Sequence, residues 1–155
     1  MKKAKPFPWS CVNCGTKTVQ PVTEEYVAQV AHDGKTYSVC VPAAVIPTCS
    51  RCARKVLTES VNGKIDAALR EQLKLLTPDQ IRTNIEALSL TQKEVACHLG
   101  IAQETLSRWV TGAMIQTKSN DRFLRIFFGI PIVRQRLKEP MDPNLGRSIV
   151  VTAVV

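Results

Sequence analysis

The sequence predicts an α+β chain in which a small β-rich metal ribbon is followed by an all-α domain of five helices. Three observations predict it. Two C-x-x-C pairs, Cys11/Cys14 and Cys49/Cys52, bracket a segment that alternates like strands around an Asp-Gly turn. From Ser60 onward, apolar residues recur at helical spacing. Two helix starts in that half carry Thr-x-x-Gln and Thr-x-x-Glu boxes, at Thr77 and Thr91. These signals set the boundaries at 1–58 for the ribbon, 59–76 for a linker helix, 77–140 for the helical domain and 141–155 for a C-terminal tail.

With 155 residues and 45% hydrophobic content, the chain suffices for one ordinary domain or two small ones and is too apolar for wholesale disorder. A formal charge of +8 with a pI near 9.4 favours a polyanionic partner. The opening Met1-Lys2-Lys3-Ala4-Lys5-Pro6 is basic, but no apolar stretch of signal-peptide length follows it. No run approaches the roughly 18 residues a membrane helix needs, so a cytoplasmic protein without membrane contact is expected. Cytosolic thiols stay reduced, so the six cysteines point to metal binding, catalysis or packing rather than disulfides.

In the ribbon, Cys11, Cys14, Cys49 and Cys52 are positioned to place four thiolates around one ion, the tetrahedral sulfur set that zinc prefers. Gly15 after the first pair and Ser50 within the second suit tight turns. Four sulfurs close the coordination sphere, so a single structural Zn2+ is expected, with no open position for an activated water. A redox reading of either pair would need a parallel sheet with a helix after the motif, which this segment lacks. Between the pairs, Glu25 to Ala31 and Thr36 to Val41 read as strands joined at His32-Asp33-Gly34-Lys35, and Ala43 to Pro47 as a third. So small a segment cannot bury a large core, and metal should supply much of its folding free energy. Cys40 reads as a small buried apolar residue, Cys97 has no partner, and His32 and His98 read as surface residues.

From Ser60 to Leu76, Val61, Ile65, Ala68, Leu69 and Leu73 form one stripe, with Asp66, Arg70, Glu71 and Lys74 opposite. Asn62-Gly63 weakens the first turn, and the residue before Pro78 is pushed out of the helical region. The stripe packs either within the chain or against a second subunit.

Thr77-Pro78-Asp79-Gln80 starts a helix running through Ala87, and Thr91-Gln92-Lys93-Glu94 starts another. The second ends at Gly100, and a third runs from Gln103 to Val110, stopping at Thr111-Gly112. Ala96, Gly100 and Leu106 meet the demands of a helix-turn-helix: a small residue at the crossing, a turn residue four later and an apolar residue six beyond. Val95, Leu99, Ile101 and Trp109 fill the remaining apolar positions. Asn120 to Phe128, capped by Ser119, and Val133 to Leu137 complete five helices, with Phe123, Ile126 and Phe127 closing the core.

Leu90 to Gly112 resembles the Cro/C1 repressor domain. Cys11 to Arg136 resembles the zinc-ribbon/helix-turn-helix proteins of the MqsA (YgiT) antitoxin family, through the cysteine quartet, Leu75 to Arg82 and Leu90 to Glu94. The resemblance implies a homodimeric, operator-binding repressor whose zinc domain can bind and neutralise a partner toxin. It also implies that Gln92 contacts a phosphate and braces Gln103, with Thr91 capping the same helix.

In helix-turn-helix geometry the third helix enters the major groove of double-stranded DNA. Its exposed face carries Gln103, Glu104, Ser107 and Arg108, where Gln103 suits adenine and Arg108 guanine. Glu104 must accept from cytosine N4 or point away and act by exclusion. Lys93, Lys118 and Arg122 are candidate phosphate contacts, equally readable as solvated surface charges. Ala102 stands at the helix N-cap where serine or threonine is usual, a loss of about 1 kcal/mol of local stability. The competing function is a protein-interaction adaptor without operator binding. No catalytic constellation, phosphate loop or open metal site supports an enzyme. The apolar tail from Ser148 to Val155 adds an edge strand, binds a partner or frays.

Overall fold

The computed structural model describes residues 6–139; the basic opening and the tail at 141–155 lie outside the described residues. Two strands, β1 (Val19–His32) and β2 (Lys35–Cys49), are followed by α1 (Glu59–Leu73), α2 (Pro78–Ala87), α3 (Gln92–Leu99), α4 (Gln103–Thr111), α5 (Lys118–Gly129) and α6 (Pro131–Arg136). The chain divides into two compact units between Leu75 and Leu76. Among the described residues there are six helices, α1 in the first unit and five in the second.

In the first unit, β1 and β2 form one antiparallel hairpin that turns at Asp33-Gly34, both with positive φ. The expected third strand is not separate: Ala43 to Pro47 continues β2 and pairs back to β1. What interrupts the ladder is a register shift between Glu24 and Tyr26, opposite Pro42. Proline has no N–H to donate, so a bulge there costs little. The bulge also changes the parity of β2, so that Val39 and Val41 before it, and Ala44 and Ile46 after it, all face the core. Cys40 pairs with Val27 on the opposite face and is exposed, a correction to its reading as a buried residue.

Helix α1 is capped by Thr58 and packs on β2 through Val61, Ile65 and Leu69, so the stripe is used within the chain. The Lys64 ammonium donates to the Ala43 carbonyl at 3.0 Å. The helix ends at Leu73, short of Leu76, because Lys74 turns into the left-handed region and its N–H bonds back to Arg70 and Glu71. That early turn lets both Leu75 and Leu76 be buried. Arg70, expected on the polar side, is only 5% exposed, and burial lowers its pKa.

In the second unit, both capping boxes form: Thr77 and Thr91 each accept from the third helical N–H, and Gln80 and Glu94 reach back to the cap backbone. The core gathers Leu76, Ile81, Ile85, Val95, Ala96, Leu99, Leu106, Trp109, Val110, Leu124 and Phe127. Helix α5 begins one turn-fraction earlier than expected, capped by Thr117 and not Ser119. Leu124 and Phe127 fill its inner face, Phe123 is half-buried, and Ile126 is 43% exposed instead of closing the core. Arg134 Nη1 donates to the carbonyls of Phe127 and Phe128, at 2.8 and 2.7 Å, and so satisfies the end of α5. No helix among the described residues is long and apolar enough to cross a membrane.

Candidate metal centre and recognition helix

The two cysteine pairs occupy turns built alike. In the first, Cys11 N–H bonds the Thr16 carbonyl and Gly15 N–H bonds the Cys11 carbonyl, at 2.8 and 2.9 Å. In the second, Cys49 N–H bonds the Arg54 carbonyl and Ala53 N–H bonds the Cys49 carbonyl, at 3.0 and 2.9 Å. The fifth residue of each is left-handed, Gly15 with φ 71 and Ala53 with φ 56. Ala53, and not Ser50, is thus the counterpart of Gly15, and its Cβ makes that conformation costly by roughly 1–2 kcal/mol.

Antiparallel pairing of Val19 with Cys49 brings the two turns side by side. All four Sγ atoms lie within 4.8 Å of one another, with Cys11 to Cys52 at 3.5 Å and Cys14 to Cys49 at 3.6 Å. Four sulfurs about 2.3 Å from a central ion would stand about 3.8 Å apart, so the quartet fits a tetrahedral metal. Cys11 and Cys49 are buried, with Trp9 and Val19 packed around them, and Trp9 stacks on Phe7 at 4.3 Å between centroids.

Two hydroxyls that sequence reasoning missed support the sulfurs. Thr18 Oγ1 lies 3.2 Å from Cys49 Sγ and Thr16 Oγ1 3.0 Å from Cys14 Sγ, and the hydroxyls are 2.9 Å apart. The Thr18 hydroxyl and then the backbone N–H of Cys52 pull the Cys49 thiol down to about 5. The Thr16 hydroxyl and its N–H likewise lower Cys14. Both cysteines are thereby biased toward the thiolate that a metal requires. The Thr-x-Thr after Cys14-Gly15 carries no metal-ligand signature in sequence, and the pairing of Val19 with Cys49 is what brings Thr18 to the sulfurs. Thr18→Val is expected to weaken metal binding about 10- to 100-fold, the usual effect of losing an outer-sphere partner, without unfolding the loaded protein. Competition with a chromophoric chelator checks this.

In the second unit, Gly100 ends α3 with φ 65 and ψ 30, and Ile101 N–H bonds the Ala96 carbonyl at 3.0 Å. This turn sends α4 across α3 with Leu106, Trp109 and Val110 inward. Gln103, Glu104, Ser107 and Arg108 then line one shallow outward concavity of about 330 Å³. Ala102 gives α4 no side-chain cap. Thr91 donates its hydroxyl to Glu94, and this bond, after the Thr91 backbone N–H, keeps the Glu94 carboxyl below its ordinary pKa. Gln92 is half-buried at the start of α3 and is not hydrogen-bonded to Gln103 among the described residues. Lys93, Lys118 and Arg122 are exposed; Lys118 and Arg122 sit one turn apart on α5. His32 and His98 are half-buried, with His98 against Phe127 at 5.9 Å.

No known family model matches the chain, and no curated protein matches it.

Proposed function

We propose that the chain is a sequence-specific DNA-binding transcriptional regulator, a repressor, whose ribbon is held by one structural Zn2+ and whose α4 reads the major groove as a homodimer. The observation that carries this is the two-sided build of α4. Its inner face is locked into the core by Leu106, Trp109 and Val110, while Gln103, Glu104, Ser107 and Arg108 stand together on the outer face. Side chains with base-reading chemistry on a rigid helix after a glycine turn are what groove recognition needs. The net charge of +8 supplies the attraction to a polyanion. The metal is a folding element in this reading and has no catalytic part.

The resemblance to the MqsA-type antitoxins supports a second role for the ribbon, docking a partner toxin. The hairpin face opposite the core, which carries the exposed Val27 and Val45, favours contact with a partner protein. An adaptor that uses only this face is the competing reading.

Anisotropy titrations of labelled duplexes across a salt series test the DNA reading. Affinity is expected to fall steeply with salt, and Arg108→Ala to lose about tenfold on the preferred duplex with the slope kept. Lys118→Ala is expected to weaken all duplexes alike and to flatten the slope by about 1. Salt-insensitive or undetectable duplex binding would favour the adaptor.

A further inference from the structure

We propose that Glu104 is a specificity-determining residue that fixes a cytosine in the bound DNA site, about two base steps from the guanine taken by Arg108. The inference rests on the reading of α4 as the DNA-reading helix. It favours the first of the two roles left open by sequence, because Glu104 lines the same concavity as Gln103, Ser107 and Arg108.

A carboxylate carried into the major groove is repelled by phosphates on both sides, so it must meet a donor there. Only two base edges offer one, the N4 amino group of cytosine and the N6 amino group of adenine. Adenine places its N7 acceptor beside N6, and that lone pair repels an acceptor-only carboxylate while suiting a glutamine, which donates and accepts. Cytosine presents its amino group without an acceptor on the same base edge. Glu104 therefore selects cytosine, and adjacent Gln103 suits adenine.

Arg108 follows Glu104 by four residues, a rise of about 6 Å along the helix, against about 3.4 Å per base step along the DNA. Opposite charges at this spacing commonly pair on a helix surface. Here no ion pair joins them, and neither side chain has a hydrogen bond among the described residues. Both charges are thus available to bases, an acceptor for cytosine and a fork of donors for guanine O6 and N7.

Glu104 also lies in the first turn of a helix whose cap, Ala102, makes no side-chain bond, where an acidic residue favours the helix dipole. That role changes thermal stability and leaves base preference alone. The test is selection from randomised duplexes with the full zinc-loaded chain as wild type, Glu104→Gln, Glu104→Ala and Arg108→Ala, each checked for its melting temperature.

The expected motif holds a cytosine about two steps from the guanine that Arg108→Ala loses. Glu104→Gln should move that one position toward adenine and Glu104→Ala should flatten it, each changing discrimination there by about fivefold or more. Tighter binding of every duplex by both variants, with the motif unchanged at all positions, overturns the proposal and reduces Glu104 to a helix-stabilising charge. A wild-type protein that enriches no sequence overturns the DNA reading itself.

Discussion

Chelating the metal from the full chain is expected to unfold the first unit and leave the second folded. The knuckle end of the ribbon is held by little else: its buried set is Cys11, Val19 and Cys49, with Trp9, Cys14 and Cys52 at the margin. Below it lies one hairpin covered by one helix, through Val39, Val41, Ala44 and Ile46 against Val61, Ile65 and Leu69. A two-stranded sheet with so thin a cover is marginal alone, whereas a tetrathiolate zinc contributes on the order of 10 kcal/mol. Hydroxyl and amide donors lower the Cys14 and Cys49 thiols, which favours the metal-bound form. Amide exchange after treatment with a chelator should show lost protection at Val39 and Ile46 and retained protection at Leu106 and Leu124. Cys49→Ser should reproduce the loss. Full protection of the hairpin in metal-free protein would contradict it.

Asp121→Ala is expected to cost the second unit about 2 to 6 kcal/mol, from two buried donors left without an acceptor at about 1 to 3 kcal/mol each. Asp121 is 4% exposed in the first turn of α5. Its Oδ1 accepts from the Leu76 N–H at 2.7 Å and from the Gln116 amide at 3.1 Å, and its Oδ2 accepts from Arg125 Nε at 2.6 Å. Gln116, itself buried, also donates to the Leu76 carbonyl at 2.7 Å. One carboxylate thus ties the segment entering α2 to the loop before α5 and to α5 itself. Arg125 is half-exposed, so its ion pair adds little beyond the hydrogen bond. Asp121→Asn keeps the shape and should lose less. Urea unfolding followed by tryptophan fluorescence from Trp109 measures this as a lower midpoint with unchanged slope. A loss below about 0.5 kcal/mol, the range of ordinary surface substitutions, would show that the network carries no weight.

Legibility in the sequence followed the range of the interaction. Thr77, Thr91 and Gly100 announced their caps because capping is settled within a turn of helix. The cysteine quartet was readable because the ligand spacing is itself the chemistry. Ser119 and Thr117 are both competent caps, and what decides for Thr117 is the burial of Leu124, Phe127 and Asp121. The direction of Cys40 depends on the bulge opposite Pro42, which flips the strand's parity. Arg70 read as a surface charge because its burial is set by residues distant in sequence. Thr16 and Thr18 carry no metal-ligand signature of their own, and their part emerges only when Val19 pairs with Cys49.

The proposed reading of DNA sequence by α4 is tested by genome-wide selection of bound duplexes with the zinc-loaded protein, repeated with Gln103→Ala and Arg108→Ala. The expected result is a two-fold symmetric motif in which each substitution erases preference at its own position and leaves the others intact. The absence of any enriched sequence, or a motif indifferent to both substitutions, would contradict it.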